Sequence, residues 1–129
     1  FEFTDLAGLR AGLQGRAVSV AASAAPVVDG DGFELAVSQA IYRVDGLTRR
    51  AAALQSHPLT VGPRIVLHPD DAAASQVADG GMAKVSNAVG TATLQVAIDD
   101  RVAPGAAWVE SGYGATAALS AGKVKVVAA

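Results

Sequence analysis

The chain has 129 residues, of which 51% are hydrophobic and 17% are charged, so it has room for one globular domain and is not a solvated disordered chain. It contains no cysteine, which excludes a disulfide, a thiolate nucleophile and a cysteine-bound metal or iron–sulfur cluster within these residues. Its formal net charge of −2 offers no basic field for nucleic acid, and no apolar run reaches the roughly 20 residues of a membrane span.

The first part of the chain predicts one helix, a connection and extended segments. Leucines at helical spacing behind a Thr-Asp cap predict a helix over residues 4–14. Residues 16–32 predict a short strand and then an exposed connection, and residues 33–44 alternate in part and predict extended chain. Residues 47–57 are rich in alanine and leave a helix as an open alternative. A first residue that is Phe1 rather than methionine suggests a segment of a longer polypeptide.

The second part predicts a short helix among several strands. His68 precedes Pro69 and two aspartates, a pattern typical of a helix start with His68 as the cap, and the helix is expected to end near Ala78, before an Asp-Gly-Gly turn. A Pro-Gly turn is predicted at residues 103–106. Strands are predicted at Arg64–Leu67, 82–87, Thr91–Ile98, 107–110 and 123–127.

The order of these elements resembles a known family. Strand, short helix, Gly-Gly turn, hairpin, Pro-Gly turn and strand follow one another between Ile65 and Glu110, as in the molybdopterin-dinucleotide-binding domain family. The resemblance implies a mainly β fold, a double-psi β-barrel with one or two short helices. It is carried by Leu67-His68-Pro69-Asp70-Asp71-Ala72, Val77-Ala78-Asp79-Gly80-Gly81, Lys84-Val85 and Val102-Ala103-Pro104-Gly105.

Residues 41–55 indicate a more specific resemblance, to one type of protein that contains such a domain. Their double arginine followed by alanines and Leu-Gln is similar to the C-terminal end of the large iron–sulfur subunit of bacterial NADH:quinone oxidoreductase, respiratory complex I. This resemblance covers about residues 33–129 and implies a barrel there, with residues 1–32 as an N-terminal helix and connection. It implies a non-catalytic structural domain that supports electron transfer from NADH to quinone through its parent subunit, whose iron–sulfur clusters lie outside this chain.

Further expectations follow from the same resemblance. The chain is expected to hold no cofactor of its own, and its partners would be the rest of the parent subunit and other peripheral-arm subunits. Binding of nucleic acid and direct insertion into the membrane are not expected. Its location would be the cytoplasmic side of the bacterial inner membrane, attached through partner subunits.

Two other functions stay open. The alternative interpretation is the cofactor-binding C-terminal domain of a molybdopterin oxidoreductase of the formate dehydrogenase or nitrate reductase type, in which molybdopterin dinucleotide would bind. A third interpretation is a free-standing barrel that acts as a binding module. Two enzyme chemistries known on this architecture are excluded, because no Gly-Ser pair could generate a pyruvoyl group and no Asp-Thr-Gly or Asp-Ser-Gly motif occurs.

A glycine-rich segment after the strand at residues 107–110 is the candidate cofactor site. Gly112-Tyr113-Gly114-Ala115-Thr116-Ala117 matches the relaxed dinucleotide fingerprint Gly-x-Gly-x-x-Ala, but only twelve residues follow, which leaves no room for the βαβ unit that the fingerprint needs. A plain loop remains an alternative. The resemblance implies that a vestigial site is lined by Tyr113, Ala115, Thr116 and Leu119.

The remaining polar residues predict an interface rather than a catalytic or metal site. His57 and His68 are too few and too far apart for a metal site, and the pairs Asp70-Asp71 and Asp99-Asp100 are typical of solvated turn and cap charges. Arginines cluster near Tyr42 and Leu47, which favours an interface with another protein surface, and a solvated strand end is the alternative. The predicted interface arginines are Arg43, Arg49 and Arg50.

Overall fold

The protein is described by a computed structural model that covers residues 5–13, 31–119 and 122–129. Three short helices are present in these ranges, together with two 3-10 turns at Thr48–Arg50 and Gly114–Thr116. The helices are α1 (Leu6–Leu13), α2 (Ala52–Gln55) and α3 (Pro69–Ala74). The strands are β1 (Phe33–Gln39), β2 (Arg64–Leu67), β3 (Met82–Ser86), β4 (Thr91–Ile98), β5 (Ala106–Ser111) and β6 (Gly122–Ala128).

The six strands form one closed barrel in the order β1-β5-β2-β4-β3-β6. It closes because β6 pairs with β3 on one side and with β1 on the other, so no strand edge among the six is left unpaired. The pairs β1–β5 and β2–β4 are parallel, and the other four are antiparallel. A closed six-stranded barrel with two parallel pairs is the double-psi architecture that the resemblance implies, and the predicted fold class is confirmed.

Alternation along the strands places aliphatic side chains inside the barrel. In β4 every second residue from Ala92 to Val96 is buried, while the threonines and Gln95 between them are exposed. A fully buried leucine or valine contributes about 1.5 to 3 kcal/mol relative to an exposed one, so each of these inner-wall side chains favours folding. The largest fully buried side chains are Ile65, Leu67, Val85, Leu94, Val96, Val109 and Val124.

The strand predictions for the second part of the chain are confirmed to within one or two residues. The extended prediction for residues 33–44 is wrong beyond Gln39, where β1 ends and a turn begins. The reason is local: the backbone N–H of Arg43 donates to the carbonyl oxygen of Ala40 at 2.9 Å and closes that turn. The Asp45 carboxylate then fixes a second turn by accepting hydrogen bonds from the backbone N–H groups of Leu47 and Thr48. Residues 47–57, left open by the sequence, form the first 3-10 turn and α2.

Helix α1 begins as predicted, whereas helix α3 ends earlier than predicted. Asp5 accepts a hydrogen bond from the backbone N–H of Gly8 at 2.7 Å, which caps α1 as expected. Helix α3 ends at Ala74 rather than near Ala78, because Gln76 adopts a φ of 56° and turns the chain away. The short strand predicted after residue 16 lies outside the described residues. None of the helices in the described ranges is long and apolar enough to cross a membrane.

Candidate functional site

The glycine-rich segment forms a tight loop directly after β5. Gly112 has a φ of +90°, and a Cβ built there would lie 3.1 Å from the Cβ of Arg43, so the position requires glycine. Thr116 is buried, and its hydroxyl lies within hydrogen-bond distance of the carbonyl oxygens of Glu110 (2.9 Å) and Tyr113 (3.1 Å). These contacts hold the loop against the end of β5.

This loop forms one wall of an open cavity of about 420 Å³. Three of the four predicted cofactor residues line it, and the fourth, Ala115, lies in the same turn and is exposed. The volume is within the range of small-molecule sites in proteins. Its lining consists of Arg49, Ser111, Gly112, Tyr113, Gly114, Thr116, Ala117 and Leu119.

Tyr113 lines the cavity and also carries a buried, unpaired polar group. The residue is 8% exposed, and its hydroxyl is shielded from water without a hydrogen-bond partner among the residues that the structure describes. A buried hydroxyl in this state costs about 1 to 3 kcal/mol, which a ligand atom bonded to it would offset. At Gly114, by contrast, the place of a Cβ is open space, so a ligand can approach the backbone there.

Arg43 lies beneath the loop and contacts it directly. Its side chain is half-buried, and its Nε donates to the carbonyl oxygen of Gly112 at 2.9 Å. Its guanidinium carbon lies 4.6 Å from the centre of the Tyr113 ring, a cation–π contact. A terminal nitrogen of Arg43 donates to Oε1 of Gln55 at 2.6 Å. All three contacts lie within the chain.

The other two predicted interface arginines are exposed in the turn before α2. Arg49 lines the cavity and Arg50 does not. Leu47 beside them is 82% exposed, which leaves apolar surface next to two cations. The interface therefore stays a prediction for Arg49 and Arg50, while the side chain of Arg43 is engaged in internal contacts.

A larger depression of about 580 Å³ lies on the outer face of the barrel around Trp108. Trp108 is in register with Ala36 on β1 and Val66 on β2, and both of these residues also line the depression. Arg64 also lines this depression, and its Nε has no hydrogen-bond partner in the described ranges. The depression was not predicted from the sequence, where the single tryptophan in an otherwise alanine- and valine-rich strand was the available signal.

Glu110, two positions beyond Trp108 on β5, carries a carboxyl group with a raised pKa. Burial raises the pKa of Glu110 above its usual range, and the nearby charge of Arg64 acts in the opposite direction with a smaller effect. One carboxylate oxygen is buried without a described partner. No second carboxylate with a raised pKa is found among the described residues, so the geometry does not form an acid–base pair.

The other predicted polar residues have structural roles. His68 caps α3 as predicted, because its Nδ1 accepts a hydrogen bond from the backbone N–H of Asp70 at 3.2 Å. Asp71 accepts a hydrogen bond from the N–H of Gly105, and Asp99 pairs with Arg101 at 2.6 Å. Within the described part of the chain, no group of three His, Cys, Asp or Glu residues could hold a metal ion.

Similarity to solved structures is distant. Acetylene hydratase from Pelobacter acetylenicus is 20% identical with a TM-score of 0.44, over 63% of this chain and 11% of that chain. The chain thus spans about a tenth of the length of acetylene hydratase. The rationally designed proteins mkDPBB_sym1 (18% identity, TM-score 0.49) and mkDPBB_sym_86 (20%, 0.48) match 75% and 77% of this chain, and 95% and 94% of their own. No curated protein matches the sequence.

The sequence itself matches a family over most of the barrel. Residues 42–128 match the family described as "Molydopterin dinucleotide binding domain". The expectation that this chain has no cofactor of its own is therefore wrong, because the matched family points to molybdopterin dinucleotide. The loop cavity fits part of such a group, since it joins an exposed guanidinium, an unpaired phenol and an open glycine backbone. The chain belongs to the molybdopterin dinucleotide binding domain family.

Proposed function

We propose that this chain is the cofactor-binding domain of a molybdopterin oxidoreductase and that the cavity beside the glycine-rich loop holds the dinucleotide portion of the cofactor. The family match supports the cofactor class. The observation that carries the site is the meeting of Tyr113, Thr116 and Leu119 with Arg49 around one cavity. When bound, the cofactor would supply the metal-centred chemistry of the enzyme.

Each residue of the cavity would contact a different part of the cofactor. Arg49 offers a planar, permanently charged group that suits a pyrophosphate, which joins the two halves of the dinucleotide. Tyr113 offers a hydroxyl donor, and the open space at Gly114 allows a ligand to contact the main chain. Leu119 is buried at the cavity wall and supplies apolar surface. In this proposal, the chain binds and orients the cofactor and takes no part in the chemical step.

Calorimetric titration with guanosine diphosphate, which carries the nucleoside and the pyrophosphate of a guanine dinucleotide, tests this proposal. Arg49→Gln should weaken binding about tenfold, the size expected for one lost charge-assisted hydrogen bond, and should reduce its salt dependence. Arg50→Gln is the matched control, because Arg50 is exposed in the same turn but does not line the cavity. Absence of binding to the unmodified chain, or equal losses in both variants, would contradict the proposal.

A second candidate is the role in complex I, as a structural domain of the large iron–sulfur subunit on the cytoplasmic side of the bacterial inner membrane. The observation that favours it is the exposed surface made by Leu47, Arg49 and Arg50, which combines an apolar side chain with two cations. Its partners would be the rest of that subunit and other peripheral-arm subunits. Association of the double variant Arg49→Glu/Arg50→Glu with that assembly tests this candidate, and unchanged association would remove it.

A further inference from the structure

We infer that Arg43 is a positioning residue that joins the two walls of the cavity and sets the place of Tyr113 within it. One wall is the loop from Gly112 to Leu119, and the other is the turn that carries Arg49. Arg43 does not line the cavity and would not touch a ligand held there. The inference rests on the proposed function only in its consequence for ligand binding, because the contacts themselves lie within the chain.

On the loop side, Arg43 makes three contacts. Its Nε donates to the carbonyl oxygen of Gly112, and its guanidinium lies over the ring of Tyr113 at 4.6 Å. Its Cβ and carbonyl oxygen lie 3.1 Å and 3.3 Å from the place where Gly112 would carry a side chain. The loop therefore rests directly on Arg43, and the orientation of Tyr113 depends on it.

On the turn side, Gln55 continues the connection. Its Oε1 accepts the hydrogen bond from Arg43, and its Nε2 donates to the carbonyl oxygens of Tyr42 (3.0 Å) and Thr48 (2.9 Å). Thr48 is the residue before Arg49 in the 3-10 turn. A continuous path of hydrogen bonds thus runs from Gly112 through Arg43 and Gln55 to the backbone beside Arg49.

Only arginine can make this set of contacts together. The planar guanidinium donates from Nε and from a terminal nitrogen in fixed directions while its face remains available to an aromatic ring. Lysine keeps the positive charge, but as a single ammonium it cannot satisfy both carbonyl groups in that geometry and lie flat on the Tyr113 ring. Arg43→Lys therefore separates positioning from charge.

The experiment compares the full chain with Arg43→Lys and Gln55→Ala in two measurements. The first is ¹H–¹⁵N NMR of the arginine Nε–H groups and of the loop amides, without any ligand. The Arg43 Nε–H should be protected from exchange and shifted by the Tyr113 ring in the unmodified chain. Both variants should shift the amide signals of Gly112 to Thr116 while leaving those of the barrel strands in place.

The second measurement is the affinity for guanosine diphosphate. Both variants should weaken binding about tenfold, although neither residue lines the cavity, whereas Arg50→Gln should leave it unchanged. Loop signals that do not move in either variant, or a variant that binds as tightly as the unmodified chain, would overturn the inference. If the unmodified chain itself does not bind, the proposed function fails and the NMR comparison still decides the role of Arg43.

Discussion

Substitution by alanine should have a large effect on stability at Gly112 and almost none at Gly114, although both glycines lie in the same loop. Gly112 has a φ of +90°, where a residue with a side chain costs about 1 to 2 kcal/mol. An alanine methyl group there would also press on Arg43 at 3.1 to 3.3 Å, which is closer than ordinary contact. Gly114 is exposed, and the place of its Cβ is open. We therefore expect Gly112→Ala to lower the free energy of unfolding by about 2 kcal/mol.

Urea denaturation of Gly112→Ala and Gly114→Ala measures this difference. Gly114→Ala should leave the free energy of unfolding within about 0.5 kcal/mol of the original value, or raise it slightly, because alanine restricts the unfolded chain. Equal losses in the two variants would refute the reasoning, since the backbone angle and the Arg43 contact distinguish the two positions. The transition slope should be the same in both, which would show that only stability has changed.

Three further predictions concern charge and packing. The hydrogen bond from Arg101 lowers the pKa of Asp99 from 3.8 to about 2. The ionised Asp99 carboxylate therefore stabilises the fold above about pH 4, and this stabilisation is lost as the pH falls through about 2. In urea titrations, Asp99→Asn should lower the free energy of unfolding at pH 7 and should have the same free energy of unfolding as the original chain below pH 2. Burial raises the pKa of Glu110, so the ionised carboxylate opposes folding at neutral pH. Glu110→Gln should therefore raise the melting temperature at pH 7. This gain should disappear in acid, where Glu110 is protonated in both the folded and the unfolded chain. Leu94 is 1% exposed, and Leu94→Ala should cost about 2 to 5 kcal/mol in the same denaturation assay, a smaller loss indicating a loosely packed barrel.

The strands could be predicted because their signal is local. In β4, alternating aliphatic and polar residues define the buried face without reference to any other part of the chain. His68 as a cap is likewise readable from its neighbours. The order of the strands in the barrel could not be predicted in this way. Strand β1 pairs with β5, some 70 positions later, and the residues of neither strand indicate which strand it pairs with. The barrel was predicted through the family resemblance and not through the alternation.

In the candidate site, too, local features could be predicted from the sequence and long-range contacts could not. Tyr113, Ala115, Thr116 and Leu119 were predicted as one group. Because they share a single loop, they lie close together, and all of them except Ala115 line one cavity. The role of Arg43 could not be predicted, because it depends on the carbonyl oxygen of Gly112, 69 residues away in sequence. A cluster of arginines in the sequence favours a surface, and only the fold shows that one of them, Arg43, is half-buried and engaged in contacts within the chain.

Mapping the binding of guanosine diphosphate by amide chemical shifts is the most direct test of the proposed cofactor site. We expect shifts confined to Ser111 to Leu119 and to the turn that carries Arg49, with the strands around Trp108 unaffected. Trp108, the single tryptophan, gives an independent signal from the larger depression. Shifts centred on Trp108 with none in the loop would contradict the proposed site.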